Sequence, residues 1–413
     1  MKTPVSIYVV HHPECSIAAD LAKSLYDWFR LGYLSGDQSG AGLPVYYRRQ
    51  LDKGALQPTI HFEEAKLNVV VVLVDEKLVA NEEWRKAMVE LATDVSRMRE
   101  EFADAETPKQ REELPQVMLL PAALHDSFYR TGPLYEGFNP IRLLELTVPD
   151  RIAVLRRAVT EATARLLRGE GHENPPPLNV FLSHAKKDGR LIAEVIRDGV
   201  RSFGQLIPWY DANDLPYGSS WSKPMTMAAA EDTAAMIATV TDAYPTRPWC
   251  RREATLARTP ALLKTRGSHV WKIQPVVAVH NPGSQFVRGA AALHGVPRIG
   301  WSSIQEKETT ERIVDRLVLE VLLGQVHRRV AVDLAHNDRQ QNNALWKKSC
   351  YITWVPDDWT LSKLRSQLPQ RSSITRIVYP GYGLSDSEKR DLASAIETFG
   401  SNTELVSFEE AMS

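Results

Sequence analysis

Short apolar runs alternate along the chain with stretches whose apolar residues return every three or four positions. The runs have strand length: VSIYVV from Val5, NVVVVLV from Asn68, LNVFLSH from Leu178, TAAMIATVT from Thr233 and IQPVVAVH from Ile273. Between them lie segments of helical period, such as Asp188 to Phe203 and DRIAVLRRAVTEATARLLRG from Asp150. Continuous apolar strands alternating with amphipathic helices predict parallel sheets covered by helices on both faces.

The sharpest break is GEGHENPPPLNV, Gly169 to Val180. Three consecutive prolines cannot continue a helix and favour extended backbone. The pattern therefore predicts an α/β domain over 1–170, a linker over 171–177, a second α/β domain over 178–324 and a small α/β appendage over 325–413. In the second domain, IPWYD and PRIGW add two short strands, and a last helix spans Glu306 to Gln325. In the appendage, SCYITWV, ITRIVYP and TELVSF read as strands. TLSKLRSQL and SDSEKRDLASAIETF read as helices, the second capped by Ser385.

The first two domains share their punctuation. VSIYVVHHPEC aligns with LNVFLSHAKKD, LPVYYRR with IPWYDAN, and NVVVVLVDEKLVANEEWRKA with AMIATVTDAYPTRPWCRREA. The spacing drifts as loops of different length would make it drift, so 1–170 reads as a second copy of one α/β unit. The bland alternative is two ordinary βαβ domains.

Composition narrows the function. The 413 residues are 43% hydrophobic with a formal net charge of −1, enough for a core in each domain and no pull on a polyanion such as nucleic acid. Cys15, Cys250 and Cys350 are too scattered for a disulfide framework or a metal site, and they fit a reducing, cytoplasmic compartment. The longest apolar run falls far short of the ~20 residues that span a bilayer. No glycine-rich phosphate fingerprint appears, which disfavours a dehydrogenase or a nucleoside triphosphatase. His11-His12 is a weak metal candidate, because adjacent residues of a strand point to opposite faces.

Three motifs of the second domain carry a family resemblance: VFLSHAKKD (Val180 to Asp188), WYDANDLPYGSSW (Trp209 to Trp221) and RPWCRREATLA (Arg247 to Ala257). In this order and spacing they resemble a TIR (Toll/interleukin-1 receptor) domain. The fold expected is tandem flavodoxin-like, TIR-type parallel sheets plus the appendage. Two departures stand out: TRP (Thr246 to Pro248) replaces the family's serine before the Trp-Cys pair, and His184 replaces a common tyrosine.

Trp249 and Glu253 are one helical turn apart and share a helix face. Ligands of open α/β sheets bind beyond the carboxyl ends of the strands, where Ser183, His184, Asp211, Thr241 and Asp242 also fall. An aromatic ring beside a carboxylate suits a nucleoside. The resemblance implies that Glu253 is the catalytic residue of an NAD glycohydrolase, with NAD as substrate and no bound cofactor or metal. Trp249 would line its pocket. It implies that Pro216, Tyr217 and Gly218 shape a loop that joins neighbouring copies in a homo-oligomer, with an unknown trigger sensed by a flanking domain. In immunity such proteins serve cell suicide or antiviral signalling. The alternatives stay open: an adaptor that only binds other TIR domains, or a nucleoside base-transfer enzyme. At single residues the bland readings are a solvated first-turn Glu253, a Trp249 in the core and a Cys250 that is only a small hydrophobe. The first domain has Met88 where Glu253 would fall, four residues after Trp84, and is expected to be non-catalytic.

Overall fold

The computed structural model describes residues 3–30, 42–50, 60–168, 177–202, 206–209, 234–263, 269–281, 290–369, 373–381 and 384–413. They form two compact units, 2–176 and 177–413.

The first unit is a five-stranded parallel sheet of β1 (Thr3–His11), β2 (Val45–Arg48), β3 (Ala65–Val74), β4 (Gln116–Ala123) and β5 (Ile141–Arg142), in the order β2-β1-β3-β4-β5. The unbroken valine run explains its centre. Val69, Val70, Val71 and Val72 are all fully buried, so both faces of β3 must be covered. Helices α1 (Ser16–Phe29) and α3 (Val148–Arg168) are joined by a hydrogen bond from Trp28 Nε1 to Thr160 Oγ1 at 3.0 Å. Helix α2 (Glu82–Asp104) lays Trp84, Ala87, Met88, Leu91 and Val95 into the core beneath Tyr8, Val70 and Val72.

The second unit holds two sheets. The first contains β6 (Leu178–His184), β7 (Leu206–Trp209) and β8 (Ala235–Val240). The chain then passes through β9 (Ala261–Leu262) and β10 (Val270–Lys272) and returns to this sheet as β11 (Val276–His280) and β12 (Arg298–Gly300). The order β12-β11-β8-β6-β7 is wholly parallel. Counting only the strands of this sheet, it is the order of the first unit's sheet. The shared strand order supports the reading of two copies of one α/β plan. Helices α4 (Arg190–Ser202) and α5 (Pro248–Ala257) follow β6 and β8.

The second sheet corrects the expected layout. β13 (Ser349–Ile352), β14 (Arg376–Tyr379) and β15 (Glu404–Ser407) pair in the order β15-β14-β13-β10-β9, parallel except for β9. Two of its five strands come from 178–324, assigned by pattern to the second α/β domain, so 325–413 does not close a sheet of its own. Strands of two and three residues are too short to show an alternating period, which is why the pattern passed over them.

The helix expected over Glu306 to Gln325 continues as α6 to Gln341. No Gly or Pro stands between Gln325 and Gln341 to stop it, and the HRR run that broke the apolar period is half-buried, with the His327 ring packed edge to face on Phe408. Its first half buries Ile313, Val314, Leu317 and Leu322, while its second half packs Ala331, Leu334 and Ala335 on the second sheet. Asp338 fixes that end by accepting from Tyr351 OH at 2.5 Å and pairing with Arg376 at 3.0 Å. Helix α7 (Asp358–Gln367) covers the opposite face, and Ser385 caps the next helix through a capping box, as its sequence predicts.

Candidate active site

Strand order reverses between β8 and β6, and in open α/β sheets ligands collect beyond the strand ends at such a point. Ser183 stands there, next to last in β6 and in register with Ala238 of β8. From the far side comes Glu253 on α5. Pro248 opens that helix, where its missing N–H costs nothing, and Glu253 sits in the second turn. The two side chains meet: Ser183 Oγ donates to Glu253 Oε2 at 2.5 Å.

Glu253 is 6% exposed, which overturns the solvated first-turn alternative. A carboxylate taken from water must be compensated by hydrogen bonds or charge, and Ser183 is one such partner. Ser183 is itself held from behind, its Oγ 2.8 Å from the hydroxyl of Tyr244. Burial raises the Tyr244 pKa well above the usual phenol range, and the Glu253 charge raises it further. Tyr244 therefore keeps its proton and donates it to Ser183, whose own proton is already directed at Glu253. The chain of donation runs Tyr244 to Ser183 to Glu253. Tyr244 was missed in sequence, because a tyrosine that follows an apolar run reads as core.

Asp188 organises the neighbouring loop. It accepts from Thr241 Oγ1 at 2.6 Å and from the backbone N–H of Ala243 at 2.9 Å. The loop after β8, which carries Tyr244, is thereby tied to the loop after β6. Thr241 is thus near the site but engaged in this tie. Asp242 beside it is exposed. His184 is buried at 8% exposure, and its backbone oxygen accepts from Cys250 Sγ at 3.4 Å. That contact docks the first turn of α5 on β6 and supports Cys250 as a small buried residue. Trp249 is half-buried on the helix that carries Glu253, with the Arg252 guanidinium 5.1 Å from its ring centroid. Asp211, Pro216, Tyr217 and Gly218 lie outside the described residues. Among the described residues no cluster of three His, Cys, Asp or Glu side chains stands ready for a metal.

The same place in the first unit is filled by its own side chains. The rings of His12 and Trp84 pack edge to face at 5.7 Å, and Trp84 and Met88 are 4% and 1% exposed.

Parallel α/β layering with a buried carboxylate at the switch point defines a flavodoxin-like domain with a candidate anionic site. Residues 180–317 match the family model of the TIR domain. The second unit of this chain carries a TIR domain. No curated protein matches the chain in sequence. Among solved structures, a tagatose-6-phosphate ketose/aldose isomerase from Escherichia coli aligns over 79% of this chain and 83% of its own. The identity is 12% and the TM-score 0.20, and an alignment that loose carries no argument.

Proposed function

We propose that the TIR domain is an NAD glycohydrolase, releasing nicotinamide and leaving ADP-ribose or its cyclic form. The observation that carries this reading is a buried Glu253 carboxylate, hydrogen-bonded by Ser183, beyond the carboxyl ends of β6 and β8.

The chemistry asks little more than one oriented anion. Nicotinamide in NAD is a pyridinium, so when its bond to ribose C1′ breaks, the ring nitrogen keeps the electron pair and leaves neutral. No general acid is needed. Positive charge grows on the ribose, and a fixed carboxylate beside it lowers the barrier. Water then adds at C1′ and gives up a proton, or an adenine nitrogen closes the ring. Ser183, backed by Tyr244, orients Glu253 through its Oε2. The half-buried ring of Trp249 offers a flat surface to the nucleoside.

The biological setting follows as part of the proposal: a cytoplasmic immune or antiviral enzyme, activated when TIR domains assemble. Three free cysteines fit that compartment, and no described helix is long and apolar enough to cross a membrane. The first unit, its equivalent place filled, serves assembly or sensing.

The test is nicotinamide release from NAD by the purified, assembled protein beside Glu253→Ala. Losing one preorganised electrostatic contact costs about 10²–10³ in rate. Release by the mutant at the wild-type rate sinks this site, and no release by an assembled wild type points to an adaptor.

A further inference from the structure

The C-terminal sheet has no role in the chemistry above, yet the helix that carries Glu253 ends in it. Helix α5 stops at Ala257, and the next residue, Arg258, is 7% exposed. Its Nη2 meets Asp357 Oδ2 at 2.6 Å. Asp357 is the N-cap of α7 and spends its other oxygen on the backbone N–H of Thr360 at 2.8 Å. Arg258 also feels Glu320 of α6, which is itself paired with Arg316 at 2.6 Å.

Three further features bind the same helix end. The last carbonyl, Ala257 O, accepts from Gln274 N at 2.9 Å. Trp359 of α7 packs against the cluster that contains Cys250, Ala254 and Ala257. The chain beyond Arg258 supplies β9 and β10, the two strands that extend the C-terminal sheet. The C-terminal end of α5 is thus set by the second sheet and α7.

We infer that the C-terminal sheet is a positioning frame for Glu253, acting through the Arg258–Asp357 pair on the helix that carries it; the effect on turnover rests on the glycohydrolase reading. Glu253 lies five residues before Arg258, about 7.5 Å along a rigid helix axis. A shift of the helix end is passed directly to the carboxylate, and a displacement near 1 Å from a remote change can cost about 10²-fold in rate. Arg258 and Asp357 are positioning residues.

Removing one charge strands the other, so the decisive variant is neutral at both positions. Arg258→Met with Asp357→Asn removes the pair and keeps a good N-cap on α7. Two quantities are read: kcat and KM for nicotinamide release, and the carboxyl carbon resonance and titration of Glu253. That resonance is obtained by labelling glutamate and assigned by its loss in Glu253→Gln. The expected result is a kcat about tenfold lower with KM unchanged, within the range that small misplacements produce, together with a displaced Glu253 resonance. A folded double variant whose Glu253 resonance and kcat are those of the wild type overturns the inference. If the assembled wild type releases no nicotinamide, the glycohydrolase reading fails alone. The resonance then decides: displacement supports the positioning frame and an unmoved signal overturns it.

Discussion

Ser183 stands between a phenol that cannot give up its proton and a carboxylate that must be compensated, and this fixes the direction of both hydrogen bonds. Ser183→Ala removes a direct hydrogen-bond partner of Glu253. Hydrogen bonds to a charged group contribute about 1.5–3 kcal/mol, so kcat is expected to fall about 10- to 100-fold. Tyr244→Phe keeps the ring in its core and removes only the hydroxyl, which acts through Ser183, so the loss should be smaller. In Ser183→Ala it should vanish. A Tyr244→Phe effect that persists undiminished in the double mutant would show that Tyr244 acts by another route. His11 of the first unit gives a pH prediction. Burial lowers its pKa, partly offset by the carbonyl of His12. The neutral ring is favoured in the fold, so its contribution is whole above the unfolded value near 6.5 and is lost as pH falls below it. Thermal melting of the first unit should drop between pH 7.5 and 5.5, and His11→Gln should flatten that slope. Glu253 and Ser183 were legible as motif residues. Tyr244 was not, and Asp188 closed a motif without a role, because a phenol and an aspartate near strand ends gain meaning only from the atoms they meet across the sheet.

At the level of elements, the three central strands of the TIR domain, β6, β8 and β11, were readable because each is an apolar run buried along almost its whole length. Helix α5 was readable from its Pro-Trp-Cys start. What failed was punctuation without a residue to mark it: α6 runs past Gln325 because nothing stops it, and β9 and β10 are shorter than any period. The full length of α6 has an energetic consequence. Leu317 is fully buried, and Leu317→Ala should cost about 2–5 kcal/mol in chemical denaturation of the second unit. The exposed cap of a C-terminal helix is a milder probe. Ser385 Oγ accepts from Glu388 N, and the Ser385 backbone N–H donates to Glu388 Oε2 in return, so Ser385→Ala should cost about 1 kcal/mol. A loss as large as that of Leu317→Ala would mean that this short helix is tied into the core.

At the scale of the molecule, two units of the same strand order differ at the same point of the fold. One keeps a hydrogen-bonded carboxylate there, while the other fills the place with Trp84, His12 and Met88. Residues 1–176 alone should therefore bind no NAD in calorimetry, and Met88→Glu should destabilise that unit by burying an unpaired charge rather than create activity. Residues 177–413, assembled, should retain nicotinamide release. Saturable NAD binding by the first unit would overturn its assignment as a filled copy.

The interleaving of β9 and β10 with the second sheet bears on how such a chain can be inherited. A recombination breakpoint near residue 324 would leave one product with β10 paired only to β9 and α6 cut through its apolar face. The reciprocal product would hold a three-stranded sheet open at β13. Such a cut divides one sheet and one helix between two products, so the TIR domain and the C-terminal sheet form one structural cassette. The proline-rich stretch before Leu178 is where new fusions can arise.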